Sequence, residues 1–260
     1  MTNDCVVYTT VFGNYDRVAA VDGTWSSAFV CFTDNPDLVG SGWDVVRVES
    51  GEEGPAVASR RFKMLPHKYL APFARSLYID ANIALCKDPS VLFDKYLERN
   101  LVALAAHRFR NCAYAEAQAC VRDGLLAQDV AARQVATYRV AGFPENYGLT
   151  ENNVIFRRHN DPAVIGLMEA WWAEYQQFGR RDQVSLPFLL WQREFAVAHI
   201  EEGPRVSREY FDLRLHGRDA RRAPWSRMIM IAHQRRDQGG IYRLLSDLDR
   251  AAAKMLGKSA

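Results

Sequence analysis

No stretch of this sequence is apolar for the roughly 20 residues that a membrane-spanning helix needs, and its start has no basic region followed by an apolar core. We therefore expect no secretory leader and a cytoplasmic protein. The net charge is only +2, so nucleic acid is not expected as a partner, because it is attracted by a strongly basic surface. The five cysteines are odd in number and lack metal-type spacing, which predicts reduced, mostly buried thiols.

The short motifs of several hydrolase classes are also missing. The sequence has no Gly-x-Ser-x-Gly element for a serine nucleophile and no His-Glu-x-x-His element for a catalytic zinc. Without these, and without apolar spans to meet a lipid amide, an amidase or ceramidase is disfavoured. No repeat, low-complexity tract or linker divides the 260 residues. The length therefore predicts a single domain over residues 1–260.

What is present in the first half is an alternation of short apolar strands and helical segments. Helices are predicted at 56–65 and 91–97, and strands at 5–11, 28–33, 43–49, 77–79 and 101–106. This alternation predicts a mixed, Rossmann-like α/β sheet with a parallel core and helices on both faces. In such sheets ligands bind at the carboxyl ends of the strands.

The second half is predicted to be mainly helical, with one further strand at 153–157. The helices are expected at 113–139, 162–178, 183–198 and from residue 241 onward. In the last of these, Leu244, Leu245, Leu248 and Ala252 fall at helical spacing. This spacing predicts a terminal helix whose leucines pack on the body of the protein.

Asp80 is the first candidate ligand, because it directly follows a short apolar strand, and Asn82 follows two positions later. Oxygen donors at the end of a buried strand suit a hard divalent cation such as Mn²⁺ or Mg²⁺. An aspartate after a strand is equally an ordinary turn or capping residue. Asn82 is a neutral ligand and would hold a cation less tightly than a second carboxylate.

Arginine accumulates late in the chain, between residues 205 and 236. One interpretation is a solvated basic surface. The other is a site for phosphate or for an anionic membrane surface.

Several segments resemble, in order, those of a known family. They are YTTVFGNYD (8–16), FVCFTD (29–34), SRRFKMLPH (59–67), YIDAN (78–82), HRFRNCAYAE (107–116) and RDQ (181–183). Over residues 5–191 the chain resembles GT-A-fold glycosyltransferases. More narrowly, it resembles bacterial members of a family shared with plant mucilage- and turgor-related glycosyltransferase-like proteins. The resemblance implies a nucleotide-binding half at 1–107, and an acceptor-binding half with C-terminal helices at 108–260.

The resemblance also implies that the loop after the first strand, residues 9–16, holds the nucleotide. The donor-binding residues that it implies are Thr9, Thr10, Gly13, Tyr15, Asp34, Arg60 and Lys63. In this reading Asp34 accepts hydrogen bonds from the base or ribose, and the two basic residues meet the donor's phosphates. The alternatives are that Asp34 is a turn residue before Pro36, and that Arg60 and Lys63 are the exposed face of an amphipathic helix.

In such enzymes a metal bridging the two phosphates neutralises charge on the leaving diphosphate. Asp80 and Asn82 are its implied ligands, and His216 is the first candidate for a third. The segment 216–225 loosely resembles one in retaining, lipopolysaccharide-type galactosyltransferases. His233 is the rival, and either histidine is also interpretable as an ordinary surface or hydrogen-bonded residue.

Asp182, Gln183 and Glu151 are the implied catalytic residues. An inverting enzyme needs a base near the acceptor hydroxyl, whereas a retaining one needs a group that stabilises positive charge on the sugar. The segment at His216 slightly favours retention. As an alternative, Asp182 is an ordinary residue at a helix start.

A second polar group is implied to recognise the sugar or the acceptor: His107, Arg110, Tyr114, Glu116 and Asn152. The alternative for the first four is a helix start with surface contacts between neighbouring turns.

Together these features predict a metal-dependent glycosyltransferase. It would move a hexose from a nucleotide-diphosphate donor, with UDP favoured, to a glycan or lipid-linked acceptor in cell-surface polysaccharide synthesis. A lipid-linked acceptor implies transient contact with the inner face of the membrane. The alternative is a non-catalytic nucleotide- or glycan-binding module on the same fold, which Asn82 favours.

Overall fold

The computed structural model describes residues 4–13 and 15–255, so Asn14 of the predicted nucleotide loop lies outside the described residues. The main sheet has seven strands in the order β3-β2-β1-β4-β7-β6-β8. They are β1 (Cys5–Val11), β2 (Ala28–Thr33), β3 (Asp44–Arg47), β4 (Arg75–Ile79), β6 (Val102–Ala106), β7 (Thr150–Arg157) and β8 (Ala198–His199). A two-stranded ribbon joins β5 (Ile83–Leu85) to β9 (Phe211–Leu213).

The direction of β7 determines which residues lie at the ligand-binding edge of the sheet. Strands β1 to β4 pair in parallel, whereas β7 runs antiparallel to both β4 and β6. In this register Val154 pairs with Ile79, and Thr150 pairs with Ala106. The beginning of β7 therefore lies beside the ends of β4 and β6. Residues that are about 70 positions apart in sequence thus share the ligand-binding edge of the sheet.

Helices cover both faces of the sheet. They are α1 (Pro55–Met64), α2 (Pro66–Tyr69), α3 (Ser90–Leu97), α4 (Ala113–Arg122), α5 (Gln128–Val140), α6 (Pro162–Gln177), α7 (Asp182–Gln192), α8 (Pro224–Gln234) and α9 (Gly240–Met255). Side chains alternate along β1, so that Tyr8 belongs to one hydrophobic core together with Trp171, and Val7 belongs to the other together with Phe93. The predicted mixed α/β sheet with helices on both faces is confirmed.

Some element boundaries differ from the prediction. The helix predicted at 113–139 is two helices, α4 and α5, because the chain turns at Gly124 with φ +67°. The helix predicted to reach residue 198 ends at Gln192, and Glu194 has φ +50°, a left-handed conformation that stops a helix. The ribbon and α8 were not predicted.

The expectation for the terminal helix is wrong in one respect. Leu244 and Leu248 of α9 are 58% and 59% exposed rather than packed on the body. The helix is attached through its polar side instead, because Ser246 is fully buried and its Oγ lies 2.9 Å from Nδ1 of His233 on α8. Asp249 adds a contact of 2.8 Å to Nε2 of the same histidine.

The boundary predicted at residue 107 falls just after β6, whose sheet neighbour β7 comes from the other half of the chain. The assignment of the halves to donor and acceptor stays a prediction. Cys31, Cys112 and Cys120 are buried, Cys5 is half-buried and Cys86 is exposed, and no disulfide joins any cysteines among the described residues. No helix within residues 4–13 and 15–255 combines the length and apolarity needed to cross a bilayer.

Candidate active site

A polar cleft lies at the ligand-binding edge of the sheet. It collects side chains from α1, from the end of β4, from the start of β7, from the start of α7 and from the segment after β9. The lining residues are Arg60, Lys63, Asp80, Asn82, Glu151, Asn152, Asn153, Arg181, Asp182, Gln183, Arg205, Leu213, His216 and Gln234. Nine of the residues predicted from sequence are therefore together in one place.

The centre of this cleft is a buried ion pair between Lys63 and Asp182. Lys63 is 2% exposed, and its Nζ lies 2.8 Å from Oδ2 of Asp182. The guanidinium of Arg60 approaches the same oxygen at 3.6 Å. Burial alone would raise the pKa of Asp182, but the positive charges of Lys63 and Arg60 hold it well below its usual range. Asp182 is therefore ionised at neutral pH and a weak proton acceptor.

Asp80 follows β4 and has one carboxylate oxygen engaged by the protein. The hydroxyl of Tyr78 donates to Oδ1 at 2.8 Å, and Nζ of Lys63 lies 3.7 Å from that oxygen. Burial first, and then the charge of Asp80, raise the pKa of Tyr78 well above its ordinary value, so that it remains a donor. Among the residues described, none makes a hydrogen bond to Oδ2 of Asp80. This oxygen is available to a ligand, since the side chain is 30% exposed.

His216 reaches the cleft because the ribbon places it beside Asn82. The amide of Asn82 donates to the carbonyl of Arg214 at 2.9 Å and lies 3.5 Å from Nε2 of His216. On the other side of the ring, Nδ1 lies 2.7 Å from Oδ2 of Asp16. This hydrogen bond raises the pKa of His216, with burial acting against it. With its proton held on Nδ1 by Asp16, the imidazole presents Nε2 to the cleft.

Glu151 is the third carboxylate of the cleft. Nε of Arg205 donates to its Oε1 at 2.6 Å, and the amide of Asn153 lies 3.4 Å from its Oε2. The neighbouring Asn152 is 2% exposed and accepts a hydrogen bond from Thr150 at 2.9 Å. Both residues line the cleft, and their roles in catalysis and in sugar recognition stay predictions. Their positions follow from the antiparallel direction of β7.

The predicted nucleotide-binding residues of β1 and β2 lie outside the lining of the cleft. Thr9 and Thr10 are buried, and Oγ1 of Thr10 lies 2.9 Å from Oγ of Ser59 on α1. Asp34 accepts a hydrogen bond from the backbone of Gly13 at 2.9 Å, which ties the ends of β1 and β2 together. Their roles in nucleotide binding stay predictions.

Tyr15 is nearer to the cleft, because its ring lies 5.1 Å from the ring of His216. Its hydroxyl has a raised pKa, chiefly through burial.

The residues predicted to recognise the sugar mostly contact one another. The guanidinium of Arg110 pairs with Glu116, and Nε2 of His107 lies 3.9 Å from the same carboxylate. Burial is the main cause of a lowered pKa at His107. The hydroxyl of Tyr114 donates to the carbonyl of Phe143 at 2.8 Å. These four residues do not line the cleft, and their role in recognition stays a prediction.

The rival histidine, His233, lies between α8 and α9 with Ser246 and Asp249 as its partners. It does not line the cleft, whereas His216 does. No group of three or more His, Cys, Asp or Glu side chains with a metal-binding arrangement occurs in the part of the chain that the structure describes.

Four functional candidates were missed as site residues. Asp16 was part of the predicted nucleotide loop, Arg181 directly precedes Asp182, and Arg205 belongs to the late accumulation of arginine. These positions could therefore have been proposed from the sequence. Nothing in the sequence distinguishes Gln234, because only the position of α8 brings it to the cleft.

Comparison with known families identifies the class of protein. Residues 32–201 match the family described as TOD1/MUCI70, glycosyltransferase-like domain. The chain belongs to this family, and the match includes Asp80, Glu151 and Asp182. Asp16 and His216 lie outside it. No curated protein matches the sequence.

Several solved structures of glycosyltransferases are similar to this structure, with low sequence identity. The WbbM bifunctional glycosyltransferase has a TM-score of 0.49 and 12% identity, with 78% of this chain and 39% of that chain covered. The galactosyltransferase LgtC, in complex with donor and acceptor sugar analogs, has a TM-score of 0.44 and 11% identity, with 76% and 73% covered. Mouse xyloside xylosyltransferase 1 has a TM-score of 0.41 and 9% identity, with 76% and 84% covered. The present chain thus spans well under half of the WbbM chain.

Proposed function

We propose that the protein is a metal-dependent glycosyltransferase that moves a hexose from a nucleotide-diphosphate donor, with UDP favoured, to a glycan or lipid-linked acceptor. The observation that carries the proposal is the cleft, in which the free oxygen of Asp80, Asn82 and Nε2 of His216 lie beside buried basic side chains. Family membership supports the reaction class. The choice of hexose, of UDP and of cell-surface polysaccharide synthesis at the cytoplasmic side of the membrane rests on the sequence resemblance.

The charge of the cleft suits a diphosphate. Its lining carries four basic side chains against three carboxylates: Arg60, Lys63, Arg181 and Arg205 against Asp80, Asp182 and Glu151. Two of those carboxylates are already paired with basic groups at 2.8 Å and 2.6 Å. A nucleotide diphosphate would meet an excess of positive charge, and guanidinium groups match phosphate oxygens in geometry.

The donor atoms fit Mn²⁺ or Mg²⁺. Asp80 offers one unengaged carboxylate oxygen, and Asn82 offers its amide oxygen, because its nitrogen is occupied by the carbonyl of Arg214. His216 has the hydrogen bond to a carboxylate that is typical of metal-binding histidines. When bound, such an ion neutralises negative charge on the departing diphosphate. The phosphates themselves would complete its coordination.

In the proposed transfer, the bond between C1 of the sugar and the diphosphate oxygen breaks, and a bond forms between C1 and the acceptor oxygen. The proton of the acceptor hydroxyl passes to a diphosphate oxygen if configuration is retained, or to a carboxylate such as Glu151 if it is inverted. Asp182 is held ionised by Lys63 and Arg60. It is therefore suited to stabilise positive charge at C1 and poorly suited to accept a proton, which favours retention.

Calorimetric titration of UDP with and without Mn²⁺ tests this proposal. Wild-type protein should bind UDP more tightly with Mn²⁺, and Asp80→Ala should abolish that enhancement. The matched control is Asp44→Ala, because Asp44 is an exposed carboxylate at the beginning of β3, opposite the ligand-binding edge. Absence of nucleotide binding with every divalent ion tried would contradict the proposal.

The second candidate is a non-catalytic nucleotide- or glycan-binding module. Two observations favour it: Asn82 stands where a second acid would strengthen a metal site, and both Asp182 and Glu151 are engaged by basic side chains. Incubation of nucleotide sugars without acceptor separates the two functions. Slow release of free sugar would support the enzyme, and tight binding without turnover across a panel of donors and acceptors would support the module.

A further inference from the structure

Helix α9 turns its apolar stripe toward solvent, whereas a helix that covers a hydrophobic core would bury it. Its exposed side carries Ile241, Leu244, Leu248 and Met255, which are between 58% and 87% exposed, together with the charged Arg243 and Asp247. These positions are spaced by 3, 4 and 7 residues, so they form one continuous stripe along the helix. The side that touches the protein is polar, as the contacts of Ser246 show. A surface helix normally buries its apolar stripe, so this stripe indicates an external apolar partner.

The neighbouring helix α8 extends the same kind of surface. Trp225 is 69% exposed and Met228 is 49% exposed. Between the two helices runs an open groove whose apolar lining includes Leu215, Ile231 and Leu245. Exposed tryptophan beside an apolar helix face is typical of proteins that rest in the interfacial layer of a membrane.

The C-terminal region is basic, whereas the rest of the protein is acidic. From residue 205 onward the sequence has thirteen Lys or Arg against six Asp or Glu. Since the whole chain carries only +2, the residues before 205 have a net negative charge. Arg221, Arg222 and Arg227 are exposed at the beginning of α8, next to Trp225. Arg227 also lines the groove. The apolar surface is thus bordered by cations that attract phosphate headgroups.

We propose that α8 and α9 form a docking surface for an anionic lipid bilayer. The surface is defined by Trp225, Met228, Ile241, Leu244, Leu248 and Met255, with the three arginines at the start of α8. A second copy of the chain is disfavoured as the occupant, because it would bring a second surface with the same excess of positive charge toward the arginine border. A bilayer satisfies both the stripe and its border, since it offers acyl chains below a layer of negative charge.

The docking surface adjoins the polar cleft. Leu215 lines the groove and the next residue, His216, lines the cleft; likewise Arg235 lines the groove and Gln234 lines the cleft. A docked protein would therefore present the cleft close to the membrane surface. This arrangement suits the lipid-linked acceptor of the proposed function, although docking itself requires no sugar chemistry.

Flotation with vesicles tests the proposal directly. The full chain should float with phosphatidylcholine vesicles containing about a third of phosphatidylglycerol, and much less with phosphatidylcholine alone. Leu244→Asp with Leu248→Asp should reduce binding by more than tenfold, because it places charge in the apolar stripe. Arg221→Ala with Arg227→Ala should reduce vesicle binding roughly fivefold for each charge removed. High salt should also weaken binding, because it screens the attraction between the arginines and the anionic lipid.

A matched control carries the same change elsewhere. Val39→Asp with Val140→Asp replaces two valines that are 86% and 91% exposed on other faces, and it should float like wild type. Circular dichroism and thermal melting would show that every variant is folded. Flotation of the leucine variant equal to wild type overturns the proposal, as does failure of wild type to bind anionic vesicles. A dimer in light scattering that the leucine variant abolishes, without vesicle binding, would assign the surface to a second copy instead.

The test also separates docking from the function of the cleft. Asp80→Ala should float like wild type even though it should lose Mn²⁺-enhanced nucleotide binding. Failure of both wild-type assays would reject the two proposals independently.

Discussion

Asp182→Asn should destabilise the protein strongly, although it changes one atom of a side chain in a polar cleft. The substitution removes the negative charge that Lys63 faces at 2.8 Å. Lys63 is 2% exposed and cannot turn to water. Its nearest remaining carboxylate is that of Asp80, at 3.7 Å, and the ring of Tyr78 lies 5.0 Å away. An ammonium would be left buried with poor compensation.

The magnitude follows from what is known of buried ion pairs. Loss of one partner of such a pair costs about 3–5 kcal/mol, because the other charge stays buried. Since Asp80 offers partial compensation, we expect about 3 kcal/mol, near the lower limit of that range. In a protein of this size that corresponds to a fall in Tm of about 6–12 °C. The double variant Lys63→Met with Asp182→Leu should be less destabilised than the sum of its single changes.

The loss should also depend on pH in a definite direction. The folded-state pKa of Asp182 lies below its usual range, whereas the unfolded chain has an ordinary aspartate pKa of about 3.9. A carboxyl with a depressed folded-state pKa contributes stability that is present above the unfolded value and is lost as the pH falls toward the folded value. The difference in unfolding free energy between wild type and Asp182→Asn should therefore be constant from pH 5 to 7 and shrink below about pH 4.

Urea denaturation followed by circular dichroism between pH 3 and 7 measures this difference. Asp44→Asn serves as the control, because its side chain is exposed and its loss should stay within about 0.5 kcal/mol. A loss below about 1 kcal/mol for Asp182→Asn at pH 7 would refute the reasoning, since surface pairs contribute no more than that. A loss that does not change between pH 3 and 7 would show that charge is not its cause.

Two further predictions concern residues away from the cleft. Burial lowers the pKa of His159 to about 4. Its ring should therefore remain neutral at pH 5 in an NMR titration. The variant His159→Phe should lose less stability than wild type as the pH falls from 6.5 to 4. The sign follows because the unfolded histidine takes up its proton first as the pH falls. Gly42 has φ +80° and an added Cβ would lie 2.3 Å from the carbonyl oxygen of Val21, so Gly42→Ala should cost well over 1 kcal/mol in urea denaturation. Gly51→Ala, at φ +67° with open space around it, should cost less, and equal losses would contradict the role of the clash.

The sequence was sufficient to predict the elements whose burial is strong and local. Strands β1 and β2 begin and end where their apolar runs do, because buried parallel strands are apolar on both sides. The three-residue strands β5 and β9 were missed, since so short a run has no period of its own and exists only through pairing 130 positions apart. The orientation of α9 was also beyond prediction. Periodicity locates an apolar stripe but does not say which way it faces.

The candidate site shows the same limit. Asp80 could be proposed from the apolar strand that precedes it, and Asp182 from the family resemblance that residues 181–183 carry. The contact of His216 with Asp16 joins positions 200 apart and depends on the ribbon that sets His216 beside Asn82. Likewise, no sequence pattern indicates a pairing of Lys63 with Asp182, because their helices α1 and α7 are brought together only by the helical layer over the sheet.

Lys63 connects the stability of the cleft with its capacity for a ligand. Its ammonium lies between two carboxylates, 2.8 Å from Asp182 and 3.7 Å from Asp80. Because Asp182 takes the closer contact, and Arg60 adds a second positive charge there, Asp80 keeps most of its negative charge for a ligand. Without Asp182, the ammonium would be drawn to Asp80 and would compete with any cation on that carboxylate. Asp182 thus preserves the ligand-binding character of Asp80, in addition to the role at C1 proposed for it.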